Sequence, residues 1–97
     1  MTEKDARKEL IRRANEINPT VHVGKDGLDQ GIYDEITAQL KKNRLIKIKV
    51  LSNSEDGAKE VASAIEENTG AVIVDVRGGV MIVTDKRTWT SLSQKKF

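Results

Sequence analysis

The stretch "AVIVDVRGGVMIVT", residues 71–84, constrains the fold more than any other part of the chain. β-branched runs flank Gly78-Gly79, so the chain reverses there and strands over 71–77 and 80–84 pair as an antiparallel hairpin. A strand with one wet face alternates apolar and polar residues, and this hairpin does not. Val72, Val74 and Val76 alternate with Ile73, and Met81 and Val83 with Val80 and Ile82. Both faces therefore call for cover. The first helix and the tail residues Trp89, Leu92 and Phe97 are the candidates for the second face, and the sequence does not choose between them.

The rest of the chain supplies helices at the right spacing. Ala6, Leu10, Ala14 and Ile17 make one apolar stripe over 3–17, with Thr2 as cap and Asn18-Pro19 as stop. Thr20 to Val23 reads as a short strand. A second helix over 29–43 buries Ile32, Ile36 and Leu40, with Asp29 as N-cap and Lys41-Lys42 at its C-terminal end. Leu45 to Leu51 alternates as a strand, Ile46, Ile48 and Val50 on one side and Lys47 and Lys49 on the other. A third helix over 55–69 runs through Ala58, Val61, Ala62 and Ile65, shows an acidic outer face and ends at Gly70. The order α-β-α-β-α-β-β predicts an α/β (α+β) fold. Its four-stranded mixed sheet carries at least two helices on one face, and strands joined through helices lie as parallel neighbours.

Ninety-seven residues suit a single domain over 1–97, with a core at about 3–84 and a basic tail at 85–97. No apolar run approaches the roughly 18 residues of a membrane span, and the N-terminus reads as a charged helix rather than a signal peptide. The expected compartment is the cytoplasm, with no membrane partner. With no cysteine and one histidine, His22, neither a disulfide framework nor a metal cluster is expected. His22 has no nucleophile near it in sequence, and Asp34-Glu35 and Glu66-Glu67 are helix neighbours that point in different directions. Walker and dinucleotide patterns are missing. The chain reads as no enzyme, with no cofactor, no catalytic residue and no small-molecule substrate.

Net charge is only +2, but it is unevenly spread. Residues 1–53 carry +3, residues 54–76 carry −5 and residues 77–97 carry +4, which gives the domain a basic side and an acidic side. That pattern fits an anionic partner approaching from one direction.

The loop Gly24-Lys25-Asp26-Gly27 joins a strand to a helix start. Free N–H groups and the helix dipole favour an anion at such a place, and glycine lets the backbone come close to it. The same spacing also suits a plain tight turn. Asp26 beside Lys25 weighs against an anion. The arrangement resembles the loop with which KH domains clamp nucleic-acid backbone. With only Tyr33, Trp89 and Phe97 as aromatics, a base-stacking sheet platform is not expected.

Together, "VHVGKDGLDQGIYDEITAQLKKNRLIKIKV" and "ENTGAVIVDVRGGVMIV" resemble the CRM domain (chloroplast RNA splicing and ribosome maturation) in its small standalone, YhbY-like prokaryotic form. The matching residues are Gly24, Gly27, Leu28, Glu35, Ile36, Leu45, Ile46, Lys47 and Lys49, and the resemblance covers roughly residues 3–84. It implies a fold similar to the C-terminal domain of bacterial translation initiation factor three. It also implies binding to structured RNA, as ribosomal RNA precursors and pre-large-subunit particles; the sequence does not fix the oligomeric state, and a monomer is presumed. The implied contacts are Gly24, Lys25, Asp26, Gly27, Leu28, Arg44, Lys47 and Lys49, extended by Lys8 and Arg12 if the first helix lies nearby. Two rival classes are a protein-interaction module that uses the acidic third helix and a general DNA-binding protein.

Overall fold

The computed structural model describes residues 2–94. Its elements are α1 (Glu3–Ala14), β1 (Pro19–Val23), α2 (Gln30–Asn43), β2 (Leu45–Val50), α3 (Ala58–Thr69), β3 (Val72–Arg77), β4 (Val80–Thr84) and α4 (Lys86–Ser93). The mixed four-stranded α+β architecture is the one expected. One connection differs. The sheet order is β1-β2-β4-β3. β1 and β2 are parallel neighbours, but β4 lies between β2 and β3 and is antiparallel to both. The composition of β4 explains the insertion: Met81, Ile82, Val83 and Thr84 are all buried, whereas β3 carries Asp75 and Arg77. The strand apolar on both faces takes the interior, and the strand with charges takes the edge.

Two cores follow from two apolar faces. α2 and α3 pack Ile36, Leu40, Val61 and Ile65 against Val23, Ile46, Ile48, Met81 and Val83. On the other face α1 and α4 cover Val74 and Ile82 with Leu10 and Ala14, joined by Ile11, Trp89 and Leu92. Residues 86–93 are thus a helix rather than a basic tail. Asp85 caps it by accepting from the Thr88 N–H at 3.3 Å, and the alternation of Trp89 and Leu92 with polar residues at helical spacing gives it a face to bury. Both candidates for the second cover are used. Phe97 lies outside the described residues.

Two helix ends move inward from their expected places. α1 stops at Ala14, after which Glu16 and Ile17 donate to the carbonyls three residues back. α3 begins after Gly57, because Ser54 and its neighbours form a separate turn in which the Ser54 hydroxyl donates to the Asp56 carbonyl at 2.9 Å. Glu55 and Asp56 therefore lie in a loop. The predicted caps Thr2, Asp29 and Gly70 all act as such.

The end of α2 is unusual. Its left-handed residue is Arg44, with φ 67°, at a position where glycine is the common choice. The buried Thr84 hydroxyl donates to the Arg44 carbonyl at 2.6 Å and fixes this corner from the last residue of β4. A left-handed torsion costs a side-chain-bearing residue roughly 1–2 kcal/mol, and glycine returns part of that gain through its freer unfolded chain. We expect Arg44→Gly to leave stability unchanged or raise it by up to about 1 kcal/mol. Thr84→Val, which keeps the shape and removes the donor, should lower stability by about 1–3 kcal/mol. Thermal or urea unfolding of the two variants checks both signs.

Candidate nucleic-acid interface

The loop after β1 is a closed turn. The Gly27 N–H donates to the Gly24 carbonyl at 3.0 Å, leaving Lys25 and Asp26 exposed at the tip. The two glycines serve different ends. Gly27 has φ +69°, and an added Cβ would meet nothing within 4 Å, so torsion rather than crowding requires it. A Cβ on Gly24 would lie 3.3 Å from both Leu51 Cδ1 and Asn53 Oδ1, so the loop is backed by the segment that follows β2. Leu51 also donates its N–H to the Val23 carbonyl at 2.8 Å. Leu28 is half-buried against the α2–α3 core and anchors the loop's far side.

The helix start itself is less open than the sequence suggests. The Asp29 carboxylate accepts from the Ile32 N–H at 2.9 Å. One of the N–H groups that an anion would meet is already taken, and by a negative charge. The anion-accepting capacity of this corner therefore rests on the loop tip and on nearby cations.

The sheet register provides those cations. His22 pairs with Lys49, Lys49 with Val80, and Val80 with Arg77. This row crosses all four strands on the face opposite α2 and α3, at the same end of the sheet as the loop. His22, Lys49 and Arg77 are exposed, and Arg77 lies 3.7 Å from the Asp75 carboxylate, which offsets part of its charge. Lys47 lies one pleat further in, half-buried beside Ile11 and Asn15 of α1 in a shallow groove of about 270 Å³ that also includes Asp75 and Arg77. Sequence reasoning missed Arg77 and gave His22 no role. The signal was present in the alternation of β3, but using it required knowing that β4 separates β2 from β3.

Three expected contacts are placed elsewhere. Arg44 precedes β2 and sits at the opposite end of the sheet, about 20 Å away along a six-residue strand. There it lies 3.6 Å from Asp85. Lys8 and Arg12 are exposed on the side of α1 opposite its buried stripe of Ala6, Leu10 and Ala14. Arg12 is bound to Glu9, with Arg13 3.1 Å from the same carboxylate. Its guanidinium holds the Glu9 carboxyl below the ordinary range, and Glu9 raises Arg12 in return. Lys8 and Arg12 thus lie on the outer surface of the first helix, where Arg12 is partly neutralised, while Arg7 turns to β3 and donates to the Val74 carbonyl at 2.8 Å and to Asp75 at 2.9 Å. The structure brings together the loop, His22, Lys47, Lys49 and Arg77; it does not bring Arg44, Lys8 or Arg12 to them.

Among the described residues no group of three His, Cys, Asp or Glu side chains could hold a metal ion, and no helix is long and apolar enough to cross a membrane.

Known proteins resemble this chain in sequence and fold. The Bacillus subtilis "Probable RNA-binding protein YqeI" is 28% identical over 74 residues, covering 76% of this chain and 77% of its own. An RNA-binding protein of Haemophilus influenzae is 31% identical over 70 residues, covering 72% of this chain and 71% of its own. The solution structure of the hypothetical protein SAV1595 from Staphylococcus aureus, to which its description ascribes RNA binding, superposes with a TM-score of 0.72 at 29% identity. That match covers 89% of this chain and 90% of the other. The family resemblance read from the loop and strand motifs holds. The model of the CRS1/YhbY (CRM) domain matches residues 1–83, and the chain belongs to that family.

Proposed function

We propose that this protein binds structured RNA by its phosphate backbone, at the end of the sheet formed by the Gly24–Gly27 loop and the His22–Lys49–Arg77 row. The observation that carries the reading is their juxtaposition: an exposed, glycine-shaped turn with Lys25 at its tip continues into a cationic row that no helix covers. Relatives described as RNA-binding support RNA as the partner. In this reading the loop lies close against one backbone segment, Lys25 contributes charge, Lys49 and Arg77 extend the track and Lys47 flanks it. Phosphate contacts of this kind position an RNA without reading its bases. Nothing in the site organises a nucleophile and a base, which supports binding rather than catalysis.

The finer part of the proposal is that the RNA is a ribosomal RNA precursor and that binding assists assembly of the large subunit. It rests on the family resemblance. Crosslinking in cells followed by sequencing of the bound RNA tests it: enrichment of large-subunit precursor sequence supports it, and enrichment confined to other transcripts overturns it.

Three or four phosphate contacts at this end give a log–log salt slope of at least about −2. An RNA affinity constant that does not fall between low and high salt would sink the mechanism. A matched pair of variants isolates the loop. Gly27→Asn and Gly27→Asp impose similar left-handed strain, but only aspartate adds a charge. Gly27→Asp should bind RNA several-fold more weakly than Gly27→Asn, and equal affinities would remove the loop from the interface. Asp29→Asn keeps a good N-cap and deletes the carboxylate beside the loop. RNA affinity should then rise by up to about fivefold, the equivalent of roughly 1 kcal/mol for one nearby charge in water.

A further inference from the structure

The pole of the molecule opposite the loop carries a second concentration of cations that the reading above does not use. A groove of about 460 Å³ lies where α2 and α3 end and α4 begins, and Lys41, Arg44, Lys86 and Arg87 line it with a single acid, Asp85. A smaller groove of about 290 Å³ continues from it past Arg44 and Arg87 to Arg13 of α1. The cations come from three separate corners of the fold: the end of α1, the α2–β2 turn and the β4–α4 turn. In a chain of net charge +2, the larger groove alone has a lining of +3.

Local stability does not account for Lys86 and Arg87, and accounts for Arg44 only in part, since the end of α2 and Asp85 favour a cation there while its backbone torsion does not favour a side chain. Arg44 occupies a left-handed torsion that glycine would fill without strain. Lys86 and Arg87 stand exposed in the first turn of α4, where the helix dipole is positive and cations are disfavoured. Arg13 and Lys41 have an ordinary explanation, since each sits at a helix C-terminus. Asp85 offsets part of the charge, as do the carbonyl ends of α2 and α3. It also fixes the arrangement. One carboxylate oxygen caps α4 and lies 3.6 Å from Arg44, while the other is buried with no hydrogen-bond partner among the described residues. The Arg44 side chain is 54% exposed and so remains open to a ligand.

We propose that this groove is a second phosphate-backbone site, and that one folded RNA spans the molecule from the Gly24–Gly27 loop to the Arg44–Lys86–Arg87 pole. The inference rests on the RNA-binding reading of the loop end. α2 separates the two sites: its 14 residues run from one to the other, roughly 21 Å at 1.5 Å per residue. No single phosphate can reach both poles, so the RNA must present separate phosphates about 21 Å apart, and one clamped segment would have to leave the loop fully extended to do so. A folded RNA with two backbone segments needs no such extension. Two fixed anchor points would favour structured RNA, because they read the separation between backbones rather than the bases.

The experiment is a salt series of equilibrium binding to an RNA stem-loop, with wild-type protein, the double variant Lys86→Gln/Arg87→Gln, and Arg44→Gly. The double variant should bind roughly tenfold or more weakly at low salt, with a log–log slope less steep by about 1.4–1.8, two contacts at 0.7–0.9 each. Arg44→Gly should also bind more weakly while its melting temperature does not fall, which separates loss of a contact from loss of fold. Wild-type binding that weakens normally with salt, alongside variants of unchanged affinity and slope, overturns the second site and leaves the loop reading standing. Failure of the wild-type protein to bind the stem-loop overturns both.

Discussion

Everything in this structure depends on β4 being apolar on both faces. A strand that buries Met81 and Val83 on one side and Ile82 on the other cannot lie at an edge or beneath a single layer. Each fully buried Val or Met side chain is worth on the order of 1.5–3 kcal/mol, so leaving either face of β4 in water would forfeit several such contributions. The β3–β4 hairpin is consequently threaded so that β4 reaches the middle, and α1 and α4 are drawn onto the face that α2 and α3 leave bare. The cover on that second face is incomplete. α1 and α4 shield Val74 and Ile82, but His22 and Lys49 lie beyond them, and the open strip of sheet that results is where the proposed RNA track runs.

The division of charge follows from the same layering. α3 buries Val61, Ala62 and Ile65, which turns Glu60, Glu66 and Glu67 outward on the covered face. The lysines of β2 project through the sheet to the other face because Ile46 and Ile48 must enter the main core. A one-residue slip of β2 would move Lys47 and Lys49 into the core. The hydrophobic pattern that fixes the fold therefore also fixes where the cations emerge. An anion approaching the open strip meets Lys49 and Arg77 without first passing the acidic helix.

Much of this was legible in the sequence, for identifiable reasons. Periodicity located seven of the eight elements described, and the caps Thr2, Asp29 and Gly70 are short-range signals set by backbone hydrogen bonding. The helix at 86–93 was hidden because its apolar contribution is only Trp89 and Leu92, too little to stand out without knowing that a bare sheet face awaited them. The β2–β4 pairing was hidden for a related reason. A helical crossover predicts a parallel neighbour, and only the comparison of β3 with β4 as buried strands reverses the order. The candidate site was legible where it is local, as in the glycine loop, and illegible where it is assembled by register, as with Arg77. Arg44 is the opposite error: adjacent to the lysine strand in sequence, it is separated from the loop by the full length of that strand.

The two ends of α2 show how helix polarity and function pull against each other. At the N-terminal end the dipole favours an anion, but Asp29 already supplies one to the chain itself. A phosphate there must coexist with that carboxylate, and the glycine turn compensates by exposing Lys25 beyond it. At the C-terminal end the dipole favours cations, and Lys41 and Arg44 oblige. Yet α4 begins at the same place with Lys86 and Arg87, where its own dipole opposes them. Three helix ends meet in that groove, the carbonyl ends of α2 and α3 and the start of α4, so the helix dipoles together leave it slightly negative and any attraction for an anion comes from the side chains. In the proposed mode the favourable backbone field at the loop is weakened by an acid, whereas at the far pole the backbone field does not favour an anion and four side-chain cations act against it and a single carboxylate. In that mode the far pole contributes side-chain charge and the loop contributes closeness of approach. A binding mode that uses both ends assigns each what it does best: attraction at the pole and close fit at the turn.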